Sequence, residues 1–228
     1  MRSPSRRVIV GELSAMTVLM LSYIWLWQHS FPPGDFILCV LLYVAIGTSS
    51  HVRRGETPAE IGFRFDNLGR ATLLVLLFIG PMIAITIGIG IGLGTLRPIP
   101  DEGWPVSLLL KIGWGTLQQY GLLAFFYRRL YELLRDERLA TFAAAASFAM
   151  FHLPNPFLIL VTWAAGMLSC WLYRRVRNIW VIGIAHGLLG VALARSLPVE
   201  ITMGMRIGPG YFRLLERLQV GELLSLVP

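Results

Sequence analysis

Residues 147–156 read SFAMFHLPNP. An apolar helix carries a histidine, His152, in its last turn and then meets a Pro-Asn-Pro break. Residues that precede proline disfavour the α region, so the helix must stop at LPNP and a new one begin beyond it. The stretch predicts a tight helical hairpin with an ionisable group at its bend. If the surroundings are hydrocarbon, burying that group in charged form costs about 2.5 kcal/mol or more, which makes His152 a functional candidate by default.

The rest of the chain decides what the surroundings are. Its 228 residues are 55% hydrophobic and only 14% charged, with a mean hydropathy of +0.64. That is too apolar and too poor in charge for an ordinary soluble domain. Apolar runs suited to ~30 Å of hydrocarbon occupy 8–27, 36–51, 71–93, 105–127, 139–153, 157–173 and 178–197, the fifth and sixth being the short pair joined by LPNP. The expected fold is all-α: a polytopic transmembrane helical bundle of about seven spans. One membrane domain covers 1–228, with its core at 71–197 and an amphipathic tail at 198–228.

A net charge of +7 arises from nineteen arginines and one lysine, Lys111, set beside the apolar runs. Such clustering sets orientation and gives no sign of nucleic acid as a partner. With the N terminus cytoplasmic, Arg2, Arg6, Arg7, Arg53, Arg54, Arg64, Arg70, Arg128, Arg129, Arg135, Arg138, Arg174, Arg175 and Arg177 all fall inside. Arg97, Arg195, Arg206, Arg213 and Arg217 fall outside, in keeping with the positive-inside rule. Arginine richness and small size fit a bacterial inner membrane. The first run follows Arg6 and Arg7 without a small-residue cleavage site, so it is expected to stay as a span. Cys39 and Cys170 lie in apolar runs and read as buried small hydrophobes, not a disulfide.

Between the second and third runs, GETPAEIGFRFDNLGR (55–70) places Pro58 where a short interfacial helix could open, with Glu56, Glu60 and Asp66 on a solvated face. Gly88/Gly92 and Gly90/Gly94 are spaced for close helix packing; with neither a strand nor a Lys-Ser/Thr following, they imply no phosphate loop. In the tail, Leu214, Leu215, Leu218 and Leu223 alternate with Arg213, Glu216, Arg217 and Glu222. That suits a helix on the membrane surface or one packed beneath the bundle.

The polar residues inside the runs carry whatever chemistry there is. Gln118 and Gln119 are adjacent, about 100° apart on a helix, so at most one should face a central cavity squarely while the other supports it. Alternatively both only hydrogen-bond across helices, at about 0.6 kcal/mol each. Counting 1.5 Å per residue from the arginine-bearing ends puts Gln118 roughly 15 Å deep, His186 roughly 12 Å and His152 roughly 20 Å, close enough to converge. Cys170, roughly 6 Å deep by that count, does not join them. His152 could instead cap the carbonyls of its own helix end, and His186 could make a plain interhelical hydrogen bond. His29 and His51 fall at interfaces and read as non-catalytic. A divalent metal on two histidines needs a third ligand; none lies at matching depth, and no cofactor is implied. Glu12 and Glu132 read first as surface ion pairs with neighbouring arginines.

Over residues 114–190, the order of a polar pair, then Phe148-x-x-x-His152, then His186 resembles the CPBP (CAAX protease and bacteriocin-processing, or Abi) family of intramembrane endopeptidases. HLPNP with Asn155, then Gly166 and Tyr173 to Arg175, look like that family's continuation. The resemblance implies a hydrolase in which a leading glutamate activates water and two histidines polarise the substrate and stabilise the oxyanion. The family's Glu-Glu-x-x-x-Arg falls on Gln118, Gln119 and Leu123, and its final asparagine on Gly190. A carboxamide cannot take up a proton at neutral pH, and general base catalysis contributes 10² to 10⁴-fold, so the substitution bears directly on activity. Three readings follow: an active variant with a histidine as base, a silent relative that binds a membrane peptide, and a carrier using midplane polar groups. The expected partners are a membrane protein or peptide and the lipid bilayer; neither substrate identity nor oligomeric state is indicated.

Overall fold

The computed structural model describes residues 4–99 and 102–225, with side chains to Val220. Arg2 and the last three residues of the tail lie outside that range, as do the side chains of Glu222 and Leu223. Every element among the described residues is helical. Helix α1 (Arg6–Ser22) starts at Ser5, which caps Val8 N, and passes into a π-helical turn at Tyr23–Trp27. Helix α2 (Gly34–Arg54) stops at Gly55, whose φ of 65° suits a residue without Cβ. Helix α3 (Leu68–Gly92) follows a turn-rich loop. Helix α4 (Trp104–Gln119) runs into a π-helical stretch, Tyr120–Tyr127, and on into α5 (Arg128–Leu134).

Three asparagine or aspartate caps then set the register of the second half. Asp136 accepts from Leu139 N to start α6 (Glu137–Met150), Asn155 from Leu158 N to start α7 (Pro156–Val176), and Asn178 from Val181 N to start α8 (Ile179–Ser196). Pro156, at the first position of α7, has no N–H to satisfy there. A short α9 (Val199–Thr202) leads to α10 (Pro209–Ser225).

Five helices among the described residues are long and apolar enough to cross a membrane: Arg6–Trp27, Gly34–Arg54, Leu68–Gly92, Pro156–Val176 and Ile179–Ser196. The two other expected runs are helical but different in character. Helix α6 has 14 residues, about 21 Å at 1.5 Å each, and α4 carries Lys111, Gln118 and Gln119 along its length. Outward-facing Leu26, Leu73, Ile91 and Leu160 are exposed, as lipid-facing residues would be. The protein is an integral membrane protein with its polar groups turned inward.

The core is centred on the π-helical stretch, all eight residues of which are buried. Helices α6 and α7 form the expected hairpin, drawn together by small residues: a Cβ on Gly166 would stand 3.1 Å from Ala145 Cα. The tightest seam joins α4 to α8. A Cβ on Gly183 would lie 2.6 Å from Thr116 Cα, and one on Gly187 would lie 2.8 Å from Ile112 Cα. Of the four glycines expected to pack on α3, only Gly90 does so, against Ser196; Gly88, Gly92 and Gly94 face open space.

The loop after α2 departs most from expectation. It makes turns rather than an interfacial helix, and it is tied to the α7–α8 corner by Tyr173 Oη to Ile61 O (2.8 Å), Ile179 N to Gly62 O (2.9 Å) and Asn178 Nδ2 to Arg64 O (3.0 Å). Glu60 and Asp66 are exposed as expected, but Glu56 is half-buried against Arg128, Arg129 and His51. His51 itself is buried. Glu12 and Glu132, too, belong to a mostly buried network: Arg54 pairs with Glu12 at 2.7 Å and with Glu132 at 2.9 Å, and the fully enclosed Arg129 reaches Glu132 at 2.6 Å and Ser50 at 2.9 Å. Three arginines can be held here because carboxylates from α1, α5 and the loop face them.

Burial alone would raise the Glu56 carboxyl, but hydrogen bonds from His51, Arg129 and Arg128 outweigh it and hold the group well below the usual carboxylate range. A depressed folded value gives stability that is present above the unfolded value near ~4.3 and is lost as the pH falls toward the folded one. Glu56→Gln is therefore expected to cost about 3–5 kcal/mol at neutral pH, with the gap to wild type closing below about pH 4; denaturant titrations across pH read both. On the α4–α8 seam, Gly187→Ala should destabilise by about 1–3 kcal/mol. Gly88→Ala, at an open helical position, should be neutral or stabilising by up to ~1 kcal/mol; unfolding in mixed micelles ranks the two.

Candidate active site

The close α4–α8 approach brings His186 between the two glutamines. Gln119 Nε2 lies 3.1 Å from His186 Nδ1, and His186 Nε2 lies 2.9 Å from Gln118 Oε1. Both carboxamides therefore reach one ring. The 100° step between adjacent residues does not prevent this, because the imidazole sits between their two directions at a seam with almost no side-chain thickness. The donor pattern also fixes the ring: Gln119 donates to Nδ1, so the proton is on Nε2, which donates to Gln118 Oε1. His186 is a neutral imidazole with both nitrogens engaged.

Gln118 and Gln119 differ in what they have left. Gln119 is fully enclosed and its Oε1 has no partner among the described residues. Gln118 is half-buried, its Nε2 makes no hydrogen bond among the described residues, and it lines a cavity of about 30 Å³ with Tyr23, Cys39, Tyr43 and Trp114. That is roughly the volume share of one water.

His152 sits just past the end of α6, in the turn between α6 and α7. Its Nδ1 donates to the Phe148 carbonyl at 2.8 Å. This is the capping contact that the sequence allowed, and it uses one nitrogen only. Nε2 is left with a lone pair and no protein partner among the described residues. The Phe148 ring stands between the histidines, edge-on to His152 at 4.9 Å and to His186 at 5.8 Å between centroids. Phe148 thereby packs against both rings.

The remaining sequence candidates take structural places. Asn155 is fully buried; besides capping α7, its Nδ2 donates to Thr202 O (2.9 Å) and Arg206 O (3.0 Å). With Gly208 N on Leu153 O (2.8 Å), it straps the tail to the turn that carries His152. Beside Gly190 there is open space, with no atom within 4 Å of where a Cβ would stand. Leu123, at the position of the family's arginine, is enclosed in the core. Among the described residues, no three His, Cys, Asp or Glu side chains are grouped as metal ligands. Sequence reading missed the Gly183/Gly187 pair, although GIAHG (183–187) carried the small-xxx-small signal around His186 itself. It also missed the burial of His51 and Glu56, for which the sequence holds no signal.

A polar pair on one helix, a histidine at a helical bend and a second histidine clamped by the pair now stand together. Residues 100–192 match the family model described as type II CAAX prenyl endopeptidase Rce1-like. The Rce1-like segment contains Gln118, Gln119, Phe148, His152 and His186, whereas α1 to α3 and the tail lie outside it. No curated protein and no solved structure matches the chain.

Gln119→Leu removes the donor to His186 Nδ1 and leaves that nitrogen buried and unpaired. The expected cost is about 1–3 kcal/mol. Nitrogen-15 spectra of histidine-labelled protein should show His186 losing its fixed Nε2–H tautomer.

Proposed function

We propose that the protein is an intramembrane endopeptidase of the CAAX-protease type, cleaving a membrane-anchored protein or peptide tail, with a histidine in the role of base. One observation carries this reading: His152 is anchored through Nδ1 and presents a free Nε2 lone pair on the bend of the Rce1-like segment. In the proposed step, Nε2 takes a proton from water as the water oxygen attacks the scissile carbonyl carbon. The negative charge that develops on the carbonyl oxygen is met by the free Nε2–H of Gln118, whose orientation His186 sets through Oε1. His152 then returns its proton to the departing amide nitrogen as the C–N bond breaks. The family description suggests prenylated C-terminal tails as the first substrates to try. We place the N terminus in the cytoplasm and the protein in a bacterial inner membrane, on the arginine distribution.

A second reading has its own observation. Both nitrogens of His186 are already saturated by carboxamides, as suits a silent relative that binds a membrane tail without cutting it. Reconstituted protein and a fluorogenic prenylated peptide separate the two. The first reading expects His152→Ala to lower cleavage by at least about 100-fold and Gln118→Ala by about 10² or more. Cleavage unaffected by His152→Ala would overturn it. Wild-type protein that binds the peptide but never cuts it, with cleavage appearing on Gln118→Glu, would establish the second.

A further inference from the structure

The glutamine pair is fixed on one side by the α4–α8 seam. On its other side stands α2, which lies outside the Rce1-like segment. Tyr43 of α2 is buried, and its hydroxyl donates to the Leu117 carbonyl at 3.1 Å. In a regular helix that carbonyl serves the N–H of residue 121. Here it also receives Tyr120 N. Gly121 is what admits the tyrosine, since a Cβ there would overlap the Tyr43 hydroxyl.

The contact is reciprocal. Tyr120 points back at α2, where a Cβ on Gly47 would overlap its hydroxyl, and the two tyrosine rings meet edge to face at 6.1 Å. Each helix thus supplies one tyrosine and one glycine to a lock that holds their backbones in register. The lock brackets the glutamines, gripping the carbonyl of residue 117 and the α-carbon of residue 121. A side chain inserted into the hydrogen-bond ladder is a recognised cause of local helix distortion, and single π turns recur at functional sites. The π-helical stretch begins at Tyr120, where the wedge enters. Tyr43 also lines the small cavity that Gln118 faces.

We propose that Tyr43 is a positioning residue: its hydroxyl, seated against Gly121, sets the backbone from which Gln118 and Gln119 clamp His186. It makes no hydrogen bond to His152 or His186 among the described residues and acts through the glutamines. As far as catalysis is concerned, this rests on the endopeptidase reading; as far as the clamp is concerned, it does not.

Tyr43→Phe keeps the ring and removes only the hydroxyl, and Tyr131→Phe, an exposed tyrosine on α5, is the control. In histidine-labelled protein in detergent, Tyr43→Phe is expected to move the His186 ring-nitrogen resonances from a fixed Nε2–H tautomer toward averaged values, while Tyr131→Phe leaves them in place. In the peptide assay it should lower kcat at least tenfold with KM within twofold of wild type. His186 resonances identical to wild type in folded Tyr43→Phe protein would overturn the proposal. Should that variant not fold, Gly47→Ala, which drives Tyr120 from its slot, takes the same readout with the same expectation. A wild type that cleaves nothing refutes the endopeptidase reading alone, because the spectrum still decides the positioning role. Cleavage combined with an unmoved spectrum refutes the positioning role alone.

Discussion

Inside a helical membrane bundle a polar atom has no water to fall back on, so each donor and acceptor must find a protein partner or lie beside a cavity. His186 meets that constraint most completely. A neutral imidazole has one donor and one acceptor on opposite sides, and meeting both from a single neighbouring helix requires two consecutive side chains of the right length at close range. Gly183 and Gly187 supply the range, Gln118 and Gln119 the groups. Gln118 can show its free amide because its oxygen is held. His152, on another pair of helices, keeps an open Nε2 among the described residues.

Two polar layers result, and they differ electrically. The layer at the ends of α2 and α5 is ionic, with Arg54 and Arg129 buried among Glu12, Glu56 and Glu132. The layer at the glutamines is neutral, an amide–imidazole–amide sandwich. Neutral groups are cheaper to bury than ions, and carboxamides in place of carboxylates let His186 remain uncharged. A carboxamide at either position offers no proton acceptor of the kind a carboxylate would. The fully buried stretch Tyr120–Tyr127 separates the layers.

Much of this could be read from the chain before its coordinates, for physical reasons. The hairpin was legible because proline forbids helix continuation, and Asn155–Pro156 is a cap followed by a residue needing no N–H partner. Counting depth put Gln118 and His186 within reach of each other because helical rise is nearly constant. Of the two glutamines, Gln118 faces the cavity and Gln119 is enclosed behind it, in line with the 100° step; that both also reach one ring standing between their two directions was not legible. Glu56 was misread because loop carboxylates usually face water. Its three partners lie on α2 and α5, and no local pattern announces them. Of the four glycines credited with packing at the end of α3 only Gly90 packs, and the closest seam is made by Gly183 and Gly187, since spacing alone does not say which face meets a neighbour. The two runs at 105–127 and 139–153 are helical, and neither is among the five helices of the described residues that are long and apolar enough to cross a membrane.

The strap from Asn155 to Thr202 and Arg206 has a consequence for the order of events during synthesis. A ribosome that has delivered the chain as far as Ser196 has already supplied both histidines, both glutamines and every helix around them. The turn bearing His152 is still untied, because the carbonyls that Asn155 grips and the amide that closes on Leu153 belong to residues 202–208. A chain made only that far therefore holds His152 on an unbraced turn. The turn is tied once residues 202–208 have been delivered.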